Sequence, residues 1–200
     1  MLGFIHITKT GGTNIKDKNK NNNIIYGAYH YETALTYKNN KMTCFAIIRN
    51  PIDRYISLFY YNTQGSNKYA KKDDVNMDIN TFVCNNYVNK HLIDKYENGM
   101  QFKKQVEWLE HANANNTFLV MFSKNNLINN ITEMCKYNGI NFIYDSDNNN
   151  KINVTNYKNS IELTEDSKNK IVEMYADDYK LYNKFVSLQK PFCTLSEIYA

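Results

Sequence analysis

The sequence predicts an α/β domain whose mainly parallel sheet is flanked by helices on both faces. Three continuous apolar runs carry that expectation: Leu2 to Ile7, Met42 to Ile48 and Thr117 to Phe122. Runs that are predominantly apolar, rather than apolar at alternate positions, mark strands covered on both sides, the usual state of a parallel sheet. Segments with helical periodicity lie between them, and strand alternating with helix is the pattern of this class.

Taken in chain order, Leu2 to Ile7 reads as a buried strand that runs straight into a glycine-bearing loop, Thr8 to Thr13. Met42 to Ile48 is a second buried strand. Behind it, Asn50 is placed to cap a helix, with Pro51 at its first position and Asp53 in its first turn. Ile52, Ile56, Phe59 and Tyr60 then share one face. Residues 79–112 read as helical with a weaker pattern. Thr117 to Phe122 is the third strand, and Ser123 is placed to cap a helix with the stripe Leu127, Ile128, Ile131 and Met134, ending before Gly139. Thr164 opens a last helix, with Glu165 and Asp166 in its first turn and Ile171, Tyr175, Tyr179, Tyr182 and Val186 along one side. No repeat or domain boundary interrupts the chain, so residues 1–200 read as a single domain with a polar stretch at 62–80.

Two hundred residues suffice for one real core. The chain is rich in Asn, Lys, Ile and Tyr, as AT-rich codons produce, so runs such as 16–23 and 145–150 read as drifted surface loops. A net charge of +4, with lysines spread along the chain, suits an anionic ligand and does not point to nucleic acid. The four cysteines have no metal-ligand spacing and read as buried free thiols. No signal peptide and no membrane span is legible. That reads as a soluble chain, cytoplasmic by default, or as the catalytic part of something longer.

Chemistry concentrates in two segments. Between strand and helix, the loop Lys9-Thr-Gly-Gly-Thr-Asn14 points backbone N–H groups at one spot, and its lysine adds a point charge. Gly11 and Gly12 permit close approach of a ligand, and Thr10 and Thr13 carry hydroxyls. This is P-loop-like logic in a three-layer domain, although the lysine precedes the glycines and no Gly-Lys-Ser/Thr follows them. The second segment is Arg49-Asn-Pro-Ile-Asp-Arg-Tyr-Ile-Ser57. Arg49 and Arg54 are the chain's only arginines, so the permanently charged guanidinium is used in one place alone. Arg54 reads as structural. His6 reads as a core residue of the first strand, and Trp108 as core.

Together, Phe4-Ile-His-Ile-Thr-Lys-Thr-Gly-Gly-Thr13 and Ile47-Ile-Arg-Asn-Pro-Ile-Asp-Arg-Tyr-Ile-Ser57 resemble the carbohydrate sulfotransferases, closest to the heparan sulfate 2-O-sulfotransferase group. Thr8 stands where that family usually has proline, and Asn50 where it often has Asp. The resemblance implies that Lys9, Thr10, Gly11, Gly12, Thr13 and Asn14 grip the 5′-phosphosulfate of PAPS (3′-phosphoadenosine 5′-phosphosulfate). It implies that Arg49 and Ser57 bind the 3′-phosphate. Lys151-Ile-Asn-Val-Thr155 resembles the family's C-terminal loop over the nucleotide, which brings in Asn153 and Thr155.

The implied reaction moves a sulfuryl group from PAPS to an acceptor hydroxyl, of a glycan, and leaves PAP (3′-phosphoadenosine 5′-phosphate). By analogy with phosphoryl transfer, positioning and charge stabilisation dominate. Lys9 would stabilise the leaving oxygen, with no metal implied. His30, in Tyr26-Gly-Ala-Tyr-His-Tyr-Glu32, is the candidate general base because imidazole titrates near neutral pH, and Glu32 is the fallback. Two alternatives stay open: another P-loop nucleotide enzyme such as a small kinase, and a catalytically degenerate nucleotide-binding protein. Magnesium dependence separates the first, and His30→Ala separates the second, since a working enzyme should lose turnover there while keeping PAPS affinity.

Overall fold

The computed structural model describes residues 1–12, 15, 24–26, 41–63, 77–88, 101–144 and 161–200. Five strands among them form one sheet: β1 (Leu2–Ile5), β2 (Ile24–Tyr26), β3 (Cys44–Ile48), β4 (Thr117–Met121) and β5 (Phe192–Thr194), in the order β2-β1-β3-β4-β5. The first four pair in parallel, and β5 closes the edge antiparallel to β4. The three apolar runs of the sequence are β1, β3 and β4. The other two strands have three residues each, too short to show any periodicity.

Seven helices are described: α1 (Pro51–Thr63), α2 (Ile79–Val88), α3 (Gln105–Trp108), α4 (Leu127–Tyr137), α5 (Glu165–Met174), α6 (Ala176–Ser187) and α7 (Leu195–Tyr199). Local capping sets several of their starts. The Asn50 carboxamide oxygen accepts from the N–H groups of Ile52 at 2.9 Å and Asp53 at 3.3 Å. The Thr164 hydroxyl accepts from Ser167 N–H at 3.2 Å. Ser123 acts one turn early: its hydroxyl accepts from Asn126 N–H at 3.3 Å, and α4 begins behind Asn126. Gly139, just past the end of α4, has φ +66°, a conformation that glycine takes without strain.

Side chains alternate across the sheet and build a core on each face. Ile5, Cys44, Ala46, Ile48 and Leu119 meet Trp108, Leu181, Phe185, Leu195 and Ile198, from α3, α6 and α7. Leu2, Phe4, Phe45, Ile47, Phe118 and Val120 meet Leu127, Ile131 and Met134 of α4. A third cluster joins α1, α2 and α5 through Tyr55, Phe59, Phe82, Ile171 and Tyr175. Because α2, α5 and α6 pack around it, α1 buries Tyr55, Leu58, Phe59 and Tyr60, while Ile52 and Ile56 are only half-buried. Its buried surface is therefore rotated and wider than the stripe read from sequence.

Two other expectations change in detail. The single helix expected after Thr164 is broken at Tyr175, whose backbone sits at φ −116°, ψ 31°. The Tyr175 hydroxyl donates to the Phe102 carbonyl at 2.9 Å, anchoring the break in the core. In 79–112, the described helices are α2 and the four-residue α3. All four cysteines are free, with Cys44, Cys135 and Cys193 buried and Cys84 half-buried. No described helix is long and apolar enough to cross a membrane.

Candidate anion-binding site

The chain leaves β1 toward β2 on one side and later returns as β3 on the other, so β1 and β3 are parallel neighbours whose connections diverge. In open α/β sheets that switch point, at the carboxyl ends of the strands, is where a crevice forms and ligands bind. Both motif segments begin there. Lys9 lies four residues beyond Ile5, and Arg49 follows Ile48 directly.

The first loop folds onto itself. The Thr10 hydroxyl donates to the Ile7 carbonyl at 2.8 Å, and Thr10 is fully buried, so its side chain serves the turn. Lys9 and Gly11 both have positive φ, 63° and 88°. A Cβ on Gly11 would lie 3.0 Å from the Phe122 ring. Gly12 is tighter, since a Cβ there would sit 2.3 Å from His6 Cδ2 and 2.7 Å from Phe4 Cζ. Phe4 cannot withdraw, because it is fully buried and stacked on Phe45 at 4.7 Å. Gly12→Ala is therefore expected to cost about 1–3 kcal/mol, the range of an overpacked core, in urea unfolding. A loss below about 0.5 kcal/mol, the level of a neutral surface change, would show that the loop gives way instead.

Two cations meet in this crevice. Arg49 Nη1 donates to the Lys9 carbonyl at 3.1 Å. The Arg49 guanidinium lies over the Phe122 ring at 4.6 Å, and Lys9 Nζ lies over the Tyr61 ring at 4.3 Å. Neither has a carboxylate partner among the described residues. Arg49 Nε is buried and has no hydrogen-bond acceptor among them either. Burial, and secondarily the Arg49 charge, lower the Lys9 pKa from 10.5 to about 8. Aromatic faces attract cations without neutralising them. Among the described residues the pair therefore has no compensating charge, and the Arg49 Nε edge lacks an acceptor of the kind an oxyanion supplies through parallel hydrogen bonds.

No family model, curated protein or solved structure matches the chain.

Of the residues that the sequence nominates, the structure brings together Lys9, Gly11 and Arg49, with Thr10 and Gly12 in the loop wall. Ser57 lies in α1, buried, and no hydrogen bond joins it to Arg49 among the described residues. Thr13, Asn14, His30, Glu32, Asn153 and Thr155 lie outside the described residues. His6 is one residue past β1, half-buried and stacked on Phe4 at 5.3 Å, not inside the strand. Trp108 is core, as expected.

Arg54 takes the opposite role to Arg49. It is 1 % exposed and donates from Nε to the Thr8 carbonyl at 3.0 Å. Its Nη2 serves the Thr8 hydroxyl at 3.2 Å and the carbonyls of Gln101 and Lys103 at 3.0 and 2.8 Å. Nη1 stands 4.0 Å from the Asp178 carboxylate, which is itself fully buried. Arg54 is spent on holding the loop, whereas Arg49 keeps an Nε without an acceptor among the described residues.

Sequence reasoning missed Phe122, Tyr61 and Gln105. Phe122 was legible only as the tail of an apolar run. Its contact with Arg49 depends on β4 lying beside β3, where Phe122 N–H donates to the Ile48 carbonyl at 2.8 Å. Tyr61 reads as one more helical aromatic. For Gln105, in a stretch without a clear pattern, no local signal exists.

Proposed function

We propose that this chain is a sulfotransferase that moves a sulfuryl group from PAPS to a hydroxyl acceptor of the glycan class, using the β1 loop in a P-loop-like way. The observation that carries the reading is the Lys9–Arg49 pair at the β1/β3 switch point. It is partly buried, lacks a carboxylate among the described residues, and retains a guanidinium edge without an acceptor. A donor with phosphates at the 3′ and 5′ positions suits two adjacent cations better than one carrying a single phosphate does.

PAPS would supply an activated sulfuryl group whose departure leaves charge on a phosphate oxygen. The Lys9 ammonium, stationed on the Tyr61 face, would stabilise that charge without a metal, which is the preorganised electrostatic assistance that dominates such transfers. Arg49 would hold the 3′-phosphate through its Nε edge, with Ser57 as the resemblance suggests. The loop backbone from Lys9 to Gly12 would line the 5′ side. His30 would take the acceptor's proton.

Calorimetric titration with PAP, and with AMP as control, tests the reading. Wild type is expected to bind PAP in the micromolar range, about −8 kcal/mol, and AMP much more weakly. Arg49→Ala should bring the two ligands to the same weak affinity. Equal binding of PAP and AMP by the wild type, or no binding of either, removes the 3′-phosphate site and the reading with it.

A further inference from the structure

The side chain of Gln105 is wholly buried and spends its amide on one residue. Its Oε1 accepts from Arg49 N–H at 2.9 Å, and its Nε2 donates to the Arg49 carbonyl at 2.8 Å. This two-way bond copies a strand ladder and continues the pairing of β3 one residue past its end. Arg49 stands between β3 and α1, where neither element's own ladder holds its N–H and C=O.

Gln105 is itself held from a distance. It is the first residue of α3, where the preceding Lys104 makes no side-chain cap. The cap comes from α6 instead. Asp178 Oδ2 accepts from Gln105 N–H at 2.8 Å and Oδ1 from Val106 N–H at 3.0 Å. The same carboxylate faces Arg54, which grips Thr8 at the start of the other loop. Asp178 thus stands at the root of two arms, one through Arg54 to the Lys9 loop and one through Gln105 to Arg49.

We propose that Gln105 is the positioning residue of the anion site: by fixing the Arg49 peptide it places the guanidinium against the Lys9 carbonyl and over Phe122. The inference rests on the reading of Lys9 and Arg49 as an anion-binding pair, and its test has a readout that needs no ligand. A buried glutamine that served only the core would affect stability and leave the spacing of the two cations alone. A positioning glutamine sets that spacing, and the Lys9 amine reports it because the Arg49 charge is one of the two causes that lower its pKa.

The experiment follows the Lys9 amine by NMR of 13C-dimethylated lysines, with its signal assigned by its absence in Lys9→Arg. PAP titration accompanies it. Gln105→Met keeps the side-chain length and removes both bonds, whereas Gln105→Asn keeps the amide one methylene too short. Leu195→Ala, in the core away from the site, is the control for destabilisation alone.

In Gln105→Met the Lys9 midpoint is expected to move up from about 8 by the smaller part of its lowering, because burial, the larger cause, remains, and PAP affinity to fall about tenfold, or 1.4 kcal/mol. Gln105→Asn should move both in the same direction by less, and it carries the comparison if the Met variant does not fold. Leu195→Ala should move neither. A Lys9 midpoint unchanged in a folded Gln105 variant overturns the proposal and leaves Gln105 a core amide. If the midpoint moves while wild type binds no PAP, Gln105 positions Arg49 and it is the donor reading that fails.

Discussion

Arg54→Ala is expected to cost about 3–5 kcal/mol, the scale for breaking a buried charge pair by removing one partner. Loss of the guanidinium leaves the Asp178 carboxylate buried without its cation. It also strands the carbonyls of Thr8 and Lys103 and leaves that of Gln101 with the Thr8 hydroxyl alone. Domains of this size have total stabilities of about 5–15 kcal/mol, so the variant would lose a large share and melt roughly 6–20 °C lower. Arg54→Lys should rescue little, because one ammonium cannot reach the positions that a planar fork serves.

The double variant Arg54→Met/Asp178→Leu is the sharper comparison. An isolated buried ion pair can often be replaced by apolar residues without loss. Here the pair also satisfies backbone groups on both sides: three carbonyls through Arg54, and the N–H groups of Gln105 and Val106 through Asp178. The double variant should therefore stay at least as unstable as Arg54→Ala in equilibrium urea unfolding. Recovery to wild-type stability would mean that the carbonyls and N–H groups find other partners.

Lys9→Met is expected to act in the reverse sense, raising stability while damaging binding. In the folded protein the Lys9 amine titrates near 8, and in the unfolded chain near 10.5. Between those values the unfolded state holds more protons, so Lys9 makes stability rise with pH there, and the full cost of its burial is felt below about 8. Removing the charge should gain about 1–3 kcal/mol at pH 7, at about 1.4 kcal/mol per pKa unit as an upper bound. That gain should shrink as the pH approaches 10. PAP affinity should fall roughly 10- to 150-fold, the loss of a charge-assisted hydrogen bond of about 1.5–3 kcal/mol.

The pH profile of binding gives an independent check. A bound phosphate raises the Lys9 pKa, so above about pH 8 each PAP taken up by wild type should bring a proton with it. Calorimetry in buffers of different ionisation heat should show that uptake at pH 8.5, whereas near pH 6.5, where the PAP phosphates still hold part of a second proton, binding should release protons instead. Affinity should decline above about 8 in wild type, and Lys9→Met should lack that decline. An unchanged affinity in Lys9→Met would remove the lysine from the site. Such an opposition of stability and binding is the usual mark of a charge kept for a ligand.

The elements that could be read from the chain are those whose signals are local. Three apolar runs became β1, β3 and β4. Asn50 and Thr164 cap the helices they were expected to cap, because a cap needs only a side chain and an N–H two or three residues away. Strands of three residues, and the break at Tyr175, left no such trace. In the site, Lys9 and Arg49 stood out by motif and by the scarcity of arginine, and the resemblance added their suggested ligand.

What the sequence alone determined is the class of fold, the two loops and the two cations. Strand composition and capping are short-range physics, written within a few residues. Only the tertiary structure decided that β3 lies beside β1 and so brings Arg49 to the Lys9 carbonyl. It showed which groups the structural Arg54 holds, and it left Arg49 without a carboxylate among the described residues. It also set Phe122, Tyr61, Gln105 and Asp178 around the pair, from four separate parts of the chain. Charge compensation and the holding of a peptide depend on which groups lie within a few ångströms in space, and packing sets those distances.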